Sequence, residues 1–310
     1  MTDRVLVYEY AVARGERDLV GEGKAMLEAL LLSLREYGVE TVAVAEAGVG
    51  VRWADVVVRR ESRALELADA AVVIAPETDG VLAEKVREFG RRVRVLGPSP
   101  EAVEVAGDKL RTLEALEGAS TFRVPRRGGD VTVGKPVDGV GSEGVRVGPG
   151  ELEVEFVPGS HHSLLCVTDG ESVEVVGVND QFVALAGGEF VYLGGRTPSR
   201  SGRVRRVARD VAEEVVERIS GLSGVFGVDV VMRGDVPYVI EVNPRPTTPV
   251  VGAALEGPER LAEALLEGPS PGVWSYSGEY VFVRSGAEAL VPEGFRRVER
   301  FGDIEVYRRG

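Results

Sequence analysis

Cysteine, histidine and the side-chain amides are scarce in this chain, and the scarcity excludes several kinds of structure. The single cysteine, Cys166, rules out an internal disulfide and a cysteine-based zinc site, and it is typical of a reducing cytoplasm. The histidines and amides of the chain are His161, His162, Asn179, Gln181 and Asn243. Few amides, one cysteine and three methionines are typical of selection against thermal damage, so we expect a protein adapted to high temperature.

Positive charge and long apolar runs are also limited. The chain carries 37 Lys+Arg against 50 Asp+Glu, a net charge of −13, which argues against nucleic acid or an anionic membrane as the partner. Local anion sites are left open. No apolar run approaches the ~18 residues of a membrane span, and a strand-like run starts directly after Thr2, Asp3 and Arg4. We therefore expect a cytoplasmic protein without export signal or membrane anchor. Its 310 residues, 44% of them hydrophobic, are enough for two or three domains.

Short apolar runs alternate with helical patterns in the first hundred residues. The predicted strands are 4–10, 41–45, 54–58, 70–75 and 92–96, and the predicted helices are 24–37, a segment from Ser62, 80–89 and 100–106. This alternation predicts a parallel sheet with helices on both faces. Ligands usually bind at the carboxyl ends of such strands, where the loop 74–80 carries Glu77 and Asp79. These carboxylates either contact an amine or cap the next helix.

A glycine-rich loop lies in the middle of the chain. Gly139, Gly141 and Gly144 spell a GxGxxG pattern, but Lys135 with its following proline and residues 145–147 indicate antiparallel strands rather than a βαβ unit. The pattern therefore does not favour an oxidoreductase that binds a dinucleotide. Backbone N–H groups of such a loop bind phosphates, and Lys135, one of only four lysines, stands directly before it. The alternative interpretation is a flexible turn in a glycine-rich protein.

Side-chain oxygen atoms cluster in a hairpin predicted within residues 224–250. The second strand carries Glu241 and Asn243 on one face, because they are two residues apart in an extended segment. Carboxylate and amide oxygens are the ligands that Mg²⁺ prefers. Asp229 joins them only if a bulge or one more loop residue shifts the register, because a regular two-residue turn places it opposite Ile240. The alternative is that these are ordinary polar residues on a solvated face.

The two histidines follow a predicted strand at 151–157 and a Pro-Gly turn. Consecutive residues point to opposite sides of any strand, so a site shared by His161 and His162 is not expected. We interpret them as surface or ion-paired residues.

The order of these motifs resembles the ATP-grasp superfamily of carboxylate–amine ligases. The resemblance rests on Asp108-Lys109 heading a helix, Lys135-Pro136 before a glycine loop, Glu155-Phe156-Val157 ending a strand, and Asp229 followed by the segment 241–245. It spans most of residues 1–260. Within the superfamily, segments 74–80 and 243–249 are similar to the archaeal tyramine–L-glutamate ligases of methanofuran biosynthesis.

The resemblance implies an ATP-grasp fold of mixed α/β and α+β class. An open parallel α/β domain precedes two α+β subdomains that enclose a nucleotide cleft. We place the N-terminal domain at residues 1–107, the small subdomain with the glycine loop at 108–168, and the C-terminal subdomain with the metal site at 169–268. A small β-rich tail at 269–310 is expected to pack on the C-terminal subdomain, and no function is predicted for it.

The resemblance also implies roles for individual residues. The residues implied to bind ATP are Lys109, Lys135, Gly139, Gly141, Ser142 and Gly144, together with the main chain of Glu155, Phe156 and Val157 at the adenine edge. Asp229, Glu241 and Asn243 would hold Mg²⁺ or Mn²⁺. Arg245 and Lys135 would be catalytic, with Arg245 on the transferring phosphoryl group. Such proteins often have an acidic residue for the ribose just after the hinge, where this chain has residues 160–163, so the ribose contact is not assigned.

The implied reaction activates a carboxylate, with glutamate expected, as an acyl phosphate at the expense of ATP. An amine, with tyramine expected, then attacks, and ADP and phosphate are released. The alternatives are a ligase for another amine or amino acid and a non-catalytic nucleotide-binding regulator. Three metal-ligand candidates argue against the regulator, because binding alone would not need them all. The expected partners are these small molecules, with neither nucleic acid nor membrane, and a homodimer is left open.

Overall fold

The computed structural model describes residues 3–16, 20–137 and 144–310, and its N-terminal domain is built on a parallel sheet. The strands are β1 (Arg4–Glu9), β2 (Glu40–Val44), β3 (Val56–Val58), β4 (Ala70–Ile74) and β5 (Arg94–Val95), in the spatial order β3-β2-β1-β4-β5. The helices are α1 (Tyr10–Arg14), α2 (Val20–Glu36), α3 (Glu61–Leu67), α4 (Val81–Phe89) and α5 (Pro100–Gly107). All four neighbouring strand pairs are parallel, as the alternation predicted.

Helix α2 covers one face of this sheet with leucines at helical spacing. Leu27, Leu30, Leu31 and Leu34 are at most 1% exposed, because they share the face that meets the sheet. The helix begins at Val20, earlier than the predicted residue 24. The short α1 was not predicted; it forms because the Glu9 side chain accepts the N–H of Val12 and so caps its first turn.

A small antiparallel sheet follows α6 (Lys109–Leu116). Its strands are β6 (Thr132–Lys135), β7 (Arg146–Val147) and β8 (Leu152–Glu155), with β6 in the middle. The antiparallel pair predicted on either side of the glycine loop is therefore β6 and β7. The backbones of Gly134 and Gly150 cross so closely that a Cβ on Gly134 would lie 2.4 Å from the carbonyl carbon of Pro149. Only glycine fits at that crossing.

The C-terminal part is a large sheet that is antiparallel except where β14 joins it. Its strands are β9 (Ser160–Thr168), β10 (Val173–Ala186), β11 (Glu189–Thr197), β12 (Gly224–Arg233), β13 (Val236–Asn243), β14 (Gly272–Val273), β15 (Tyr280–Arg284), β16 (Phe295–Phe301) and β17 (Ile304–Arg309). The main order is β13-β12-β9-β10-β11-β15-β17-β16, and β14 pairs in parallel with β10. The accompanying helices are α7 (Gly202–Arg218), α8 (Val250–Glu256) and α9 (Pro258–Glu267). None of the helices in the described ranges is both long and apolar enough to cross a membrane.

Strand β9, which the predicted boundary at residue 168 groups with the small subdomain, pairs within the large sheet. That boundary leaves β9 in the small subdomain, whereas β9 pairs with β12 on one side and β10 on the other, inside the large sheet. The physical reason is its apolar run: residues 164–167 are at most 1% exposed and fill the cores on both faces of that sheet.

The tail packs on two domains rather than on the C-terminal subdomain alone. Strand β15 extends the large sheet beside β11, but the turn between β16 and β17 rests against α2 of the N-terminal domain. Phe301 is fully buried there, with its ring centroid 5.3 Å from that of Trp53. Asp303 donates its backbone N–H to the carbonyl of Gly21 at 3.1 Å. The tail therefore connects the first and last domains.

Candidate active site

A β-bulge in the β12–β13 hairpin brings Asp229 and Glu241 face to face. The turn contains two residues, since Arg233 pairs with Val236, and the ladder is regular as far as Val230 and Val239. The next pair is Asp229 with Glu241, so Ile240 is the extra residue. The irregular register that a metal site requires is present. It lies at Ile240, within the second strand, and the turn itself has the regular two residues.

The two facing carboxylates and the nearby amide suit a hard cation. Removal from water, together with the nearby Glu241 carboxylate, raises the pKa of Asp229 to about 7. Gln181 donates from Nε2 to Oδ1 of Asp229 at 2.9 Å. Asn243 shares the face of Glu241 and pairs with Gly227, which has no side chain. Opposed carboxylates that resist joint ionisation are the arrangement that a divalent cation stabilises, so these residues fit Mg²⁺ or Mn²⁺.

This donor set contains only two carboxylates. Among the residues that the structure describes, no group of three or more His, Cys, Asp or Glu side chains could hold a metal ion. The amide of Asn243, and substrate oxygens, would have to complete the coordination, as is usual for Mg²⁺ bound with phosphates.

Two buried lysines approach the same carboxylates. Lys135 is 3% exposed, and its Nζ donates to the backbone carbonyl of the bulged Ile240 at 3.2 Å. Lys109, at the start of α6, places Nζ 3.9 Å from Oε1 of Glu241. Burial lowers the pKa of Lys135 to about 8, although Glu241 acts in the opposite direction. Cations therefore line the place where phosphate oxygens are expected.

The rest of the pocket is an apolar slot between the small and large sheets. Val133 and Val154 line it from the small sheet, and Val231 and Ile240 from the large one. Phe156 and Phe190 also line it, with stacked rings whose centroids are 6.4 Å apart. The slot also includes Lys135, Asp229 and Glu241, so one pocket has an apolar part and a charged part. A nucleotide matches both parts, because its base is flat and its phosphates are charged.

The segment predicted to meet the adenine edge borders this slot. Glu155, Phe156 and Val157 all line the pocket. The Glu155 carboxylate accepts from Arg126 Nη2 at 2.9 Å, so its side chain is held by that ion pair. The backbone N–H groups of Glu155 and Phe156 are also engaged, because they donate to the carbonyls of Arg126 and Val131 at 2.8 and 2.9 Å.

Part of the predicted glycine loop is outside the described ranges. Gly139, Gly141 and Ser142 lie outside the described residues. Gly144 is described: its φ is +70°, in the left-handed region, and a Cβ there would lie 3.5 Å from Cδ of Pro136.

Arg245 is engaged by a residue of the N-terminal domain. Its Nε lies 2.8 Å from Oε1 of Glu77, and its Nη2 donates to Oε2 of Glu77 at 3.2 Å. The side chains of Arg245 and Glu77 are only 10% and 5% exposed. Glu77 makes no side-chain cap of the following helical turn, so the capping role considered for it is not observed, and its contact with an amine stays a prediction.

The two histidines point to opposite sides of β9, as predicted. His161 lines the pocket, 6.4 Å from Phe190 by ring centroids, and burial lowers its pKa. His162 is 3% exposed, with Nδ1 3.1 Å from Asp180 Oδ1. His162 is thus buried beside a carboxylate, whereas His161 belongs to the pocket.

Two pocket residues, Gln181 and His161, had no predicted role. The scarcity of amides was a usable signal, because Gln181 orients Asp229 and Asn243 follows Glu241 in the same hairpin. No comparable signal marked His161, since a histidine pair on a strand is ambiguous about which side faces a ligand.

Comparison with known proteins places this geometry in a family. The family model of the ATP-grasp domain matches residues 106–249, and the family model of the pre ATP-grasp 3 domain matches residues 41–103. The tyramine–L-glutamate ligase of Methanocaldococcus jannaschii is 28% identical over 285 residues, which cover 85% of this chain and 88% of that protein. The same ligase of Methanocaldococcus fervens is 28% identical over 284 residues, covering 85% of this chain and 93% of that protein.

A crystal structure from Archaeoglobus fulgidus, described as an ATP-grasp superfamily protein, has the same architecture. It superposes with a TM-score of 0.77 at 26% identity, covering 99% of this chain and 98% of that one. Two family models in the expected order, and relatives and a solved structure that match nearly end to end, agree with the geometry of the cleft. The chain belongs to the ATP-grasp superfamily.

Proposed function

We propose that this protein is an ATP-dependent carboxylate–amine ligase. The observation that carries the proposal is the bulge at Ile240, which sets Asp229 opposite Glu241 and offers a carbonyl to Lys135 in the same pocket. A binding protein would not need opposed carboxylates at the charged part of a nucleotide pocket. A ligase does, because charge moves there during phosphoryl transfer.

The reaction divides a difficult substitution into two steps. A carboxylate oxygen of the first substrate attacks the γ-phosphorus of ATP, the bond to the ADP oxygen breaks, and an acyl phosphate forms. The amine nitrogen then attacks the acyl carbon, phosphate leaves with the bonding electron pair, and the nitrogen loses a proton to give the amide. Closure of the cleft would exclude water, which otherwise hydrolyses the acyl phosphate.

The residues of this chain have distinct parts in that sequence. Asp229, Glu241 and Asn243 would hold Mg²⁺ or Mn²⁺, which supplies charge neutralisation at the phosphates when bound. Lys135 and Lys109 would bind phosphate oxygens. Gly139, Gly141, Ser142 and Gly144 would cover the triphosphate with backbone N–H groups. Arg245 would stabilise the phosphoryl group as it transfers.

The substrates proposed are glutamate as the carboxylate and tyramine as the amine. Support comes from the relatives named tyramine–L-glutamate ligase, which match this chain over 85% of its length. At 28% identity the residues around the amine can differ, so a ligase for another amine is the second candidate. A role in methanofuran biosynthesis would follow only if tyramine is the amine substrate.

The proposal is tested by incubating the full chain with ATP, Mg²⁺, glutamate and a panel of amines that includes tyramine. ADP and a new amide are expected to appear together in equal amounts. ATP binding without ADP, for every carboxylate and amine pair, would overturn the ligase and favour a nucleotide-binding regulator. ADP and amide with an amine other than tyramine would keep the ligase and replace the substrate.

Two variants of one hairpin make a matched comparison. Glu241→Gln removes a proposed metal ligand, and turnover should fall by ~10² or more. Asp235→Asn changes an acidic residue in the turn of the same hairpin, where the side chain is 78% exposed, and turnover should be unchanged. Equal losses in both variants would mean that the hairpin is fragile, and the metal assignment would then lose this support.

A further inference from the structure

The ion pair between Glu77 and Arg245 joins two domains at the phosphate end of the cleft. Glu77 follows β4 in the N-terminal sheet, and Arg245 follows β13 of the hairpin that carries the metal-ligand candidates. Nη2 of Arg245 donates a hydrogen bond to Oε2 of Glu77 at 3.2 Å, and Nε lies 2.8 Å from Oε1 as a close charge contact without hydrogen-bond geometry. A buried hydrogen bond together with a close charge contact restricts the position of the guanidinium.

The remaining contacts of Arg245 are consistent with a fixed side chain. Its Nη1 donates to the carbonyl of Pro246 at 3.3 Å, within the Pro-Arg-Pro corner. With 10% exposure, Arg245 has little water to compete for its N–H groups. The carboxylate of Glu77 therefore determines much of the direction in which the guanidinium points.

The stem of Glu77 is itself held by the end of α5. A Cβ built on Gly107 would lie 3.0 Å from Cβ and 3.2 Å from Cγ of Glu77. The absence of a side chain at Gly107 thus leaves the room that Glu77 occupies. An alanine there would press on Glu77 without altering either charge of the ion pair.

We propose that Glu77 is a positioning residue for the ligase reaction, acting through Arg245. It holds the guanidinium in the direction needed to meet the transferring phosphoryl group, and Gly107 provides the space for it. The N-terminal domain thereby contributes to phosphoryl transfer in addition to any substrate contacts. This inference rests on the proposed function.

A double-mutant cycle separates positioning from a purely structural role. Glu77→Gln should lower kcat by ~10-fold or more, because a small displacement of Arg245 is enough for that effect even when the mutated residue is away from the reacting atoms. KM for ATP should change by less than about two-fold. In the Arg245→Ala background the same substitution should have no further effect on kcat. Equal losses in both backgrounds would overturn the inference, because Glu77 would then act independently of Arg245.

A steric variant provides a second test that leaves the charges intact. Gly107→Ala should lower kcat in the same direction as Glu77→Gln, by a few-fold, with KM for ATP within about two-fold. Glu84→Gln, an exposed carboxylate on α4 of the same domain, is the matched control and should leave kcat unchanged. Wild-type kcat in both Gly107→Ala and Glu77→Gln would contradict the inference.

A spectroscopic readout decides the matter without turnover. The Nε–H of Arg245, assigned in proton–nitrogen NMR spectra by its loss in Arg245→Lys, should exchange slowly with solvent in the parent protein. It should exchange at least ~10-fold faster in Glu77→Gln, because the Arg245 guanidinium then lacks the buried Glu77 carboxylate and moves more. Equal exchange in both proteins overturns the positioning role. If no amide forms with any substrate pair, the ligase proposal fails, and this comparison still shows whether Glu77 fixes Arg245.

Discussion

Lys135 donates a hydrogen bond from Nζ to the backbone carbonyl of Ile240, across the cleft between the small and large sheets, at 3.2 Å. Ile240 is the bulged residue of its strand, so its carbonyl is not used as it would be in a regular ladder. One irregularity thus does two things: it turns Asp229 towards Glu241, and it gives a buried ammonium group an acceptor. The charged end of the pocket is built around that extra residue.

Loss of the Arg245 guanidinium should affect the chemical step far more than nucleotide binding. We expect Arg245→Ala to lower turnover by ~10² or more with a modest change in ATP affinity, because it removes a donor used mainly in the transition state. Steady-state kinetics with separate measurement of ATP binding checks this. Arg203→Ala, in which the replaced side chain is 59% exposed, is the control and should behave as the parent. Unchanged turnover in Arg245→Ala would remove Arg245 from the mechanism.

Asp229→Asn should make the metal-free protein more stable while abolishing the activity. At pH 8 the ionised Asp229 faces the Glu241 carboxylate, and the amide relieves that repulsion while its oxygen still accepts from Gln181. We expect the free energy of unfolding without metal to rise by about 1 kcal/mol, as is common when a strained functional residue is replaced. Addition of Mg²⁺ and ATP should stabilise the parent but not the variant. Denaturant titrations with and without these ligands measure both effects, and a less stable metal-free variant would contradict the expectation.

Glu214 on α7 should make the stability depend on pH in acid. Burial tends to raise its pKa, but hydrogen bonds from Thr121, Ser120 and Arg218 lower it to about 2 from 4.5. A carboxyl with a depressed folded pKa stabilises the fold above its ordinary pKa, and that contribution is lost as the pH falls through the folded value. Glu214→Gln should therefore lower the free energy of unfolding by ~2 kcal/mol at pH 7.

The difference between Glu214→Gln and the parent should shrink as the pH falls from 4.5 towards 2. Denaturant titrations at neutral pH and at two acidic values measure it. Glu213→Gln, next to Glu214 and in an exposed ion pair with Arg209, should differ little from the parent at any pH. A difference for Glu214→Gln that stays constant down to the lowest pH would show that its cause is not ionisation.

Removal of the Phe301 ring should loosen the tail from the N-terminal domain. Phe301 is fully buried against Trp53 and α2, so Phe301→Ala should leave a cavity and lower the free energy of unfolding by about 3 kcal/mol or more. Val298→Ala, on the same strand but at a position 48% exposed, should change it by less than about 0.5 kcal/mol. Similar small changes in both variants would mean that the tail contact contributes little.

The sequence carried the fold and much of the site because each depended on local patterns. Alternating apolar runs defined the parallel sheet, and the spacing of Glu241 and Asn243 placed both on one face. The need for a register shift at Asp229 followed from counting residues around a two-residue turn. The position of the shift did not, because a bulge at Ile240 adds no distinctive residue to the strand.

Local patterns did not predict contacts between residues that are far apart in the sequence. The contact between Glu77 and Arg245 joins residues 168 positions apart, and neither local segment indicates it. Strand β9 was grouped with the small subdomain, although it pairs with β12 and β10, because its apolar pattern suits either sheet equally. The docking of Phe301 on α2 depends on the relative placement of two domains, which no local pattern specifies.

The tail also distinguishes two parts of the molecule, namely the first and last domains, which it joins, and the small sheet, which it does not contact in the pairings described. Through β15 it is part of the large sheet, and through Phe301 and Asp303 it is attached to α2, so the first and last domains are fastened together on one side. The small sheet meets the large one at the edge of β11, where Arg146 pairs with Glu189 and where backbone N–H groups of Val147 and Phe190 donate to the carbonyls of Gly188 and Val145. We therefore expect any opening of the cleft to move the small sheet, which carries Lys135, relative to the two domains that hold Arg245 and Glu77.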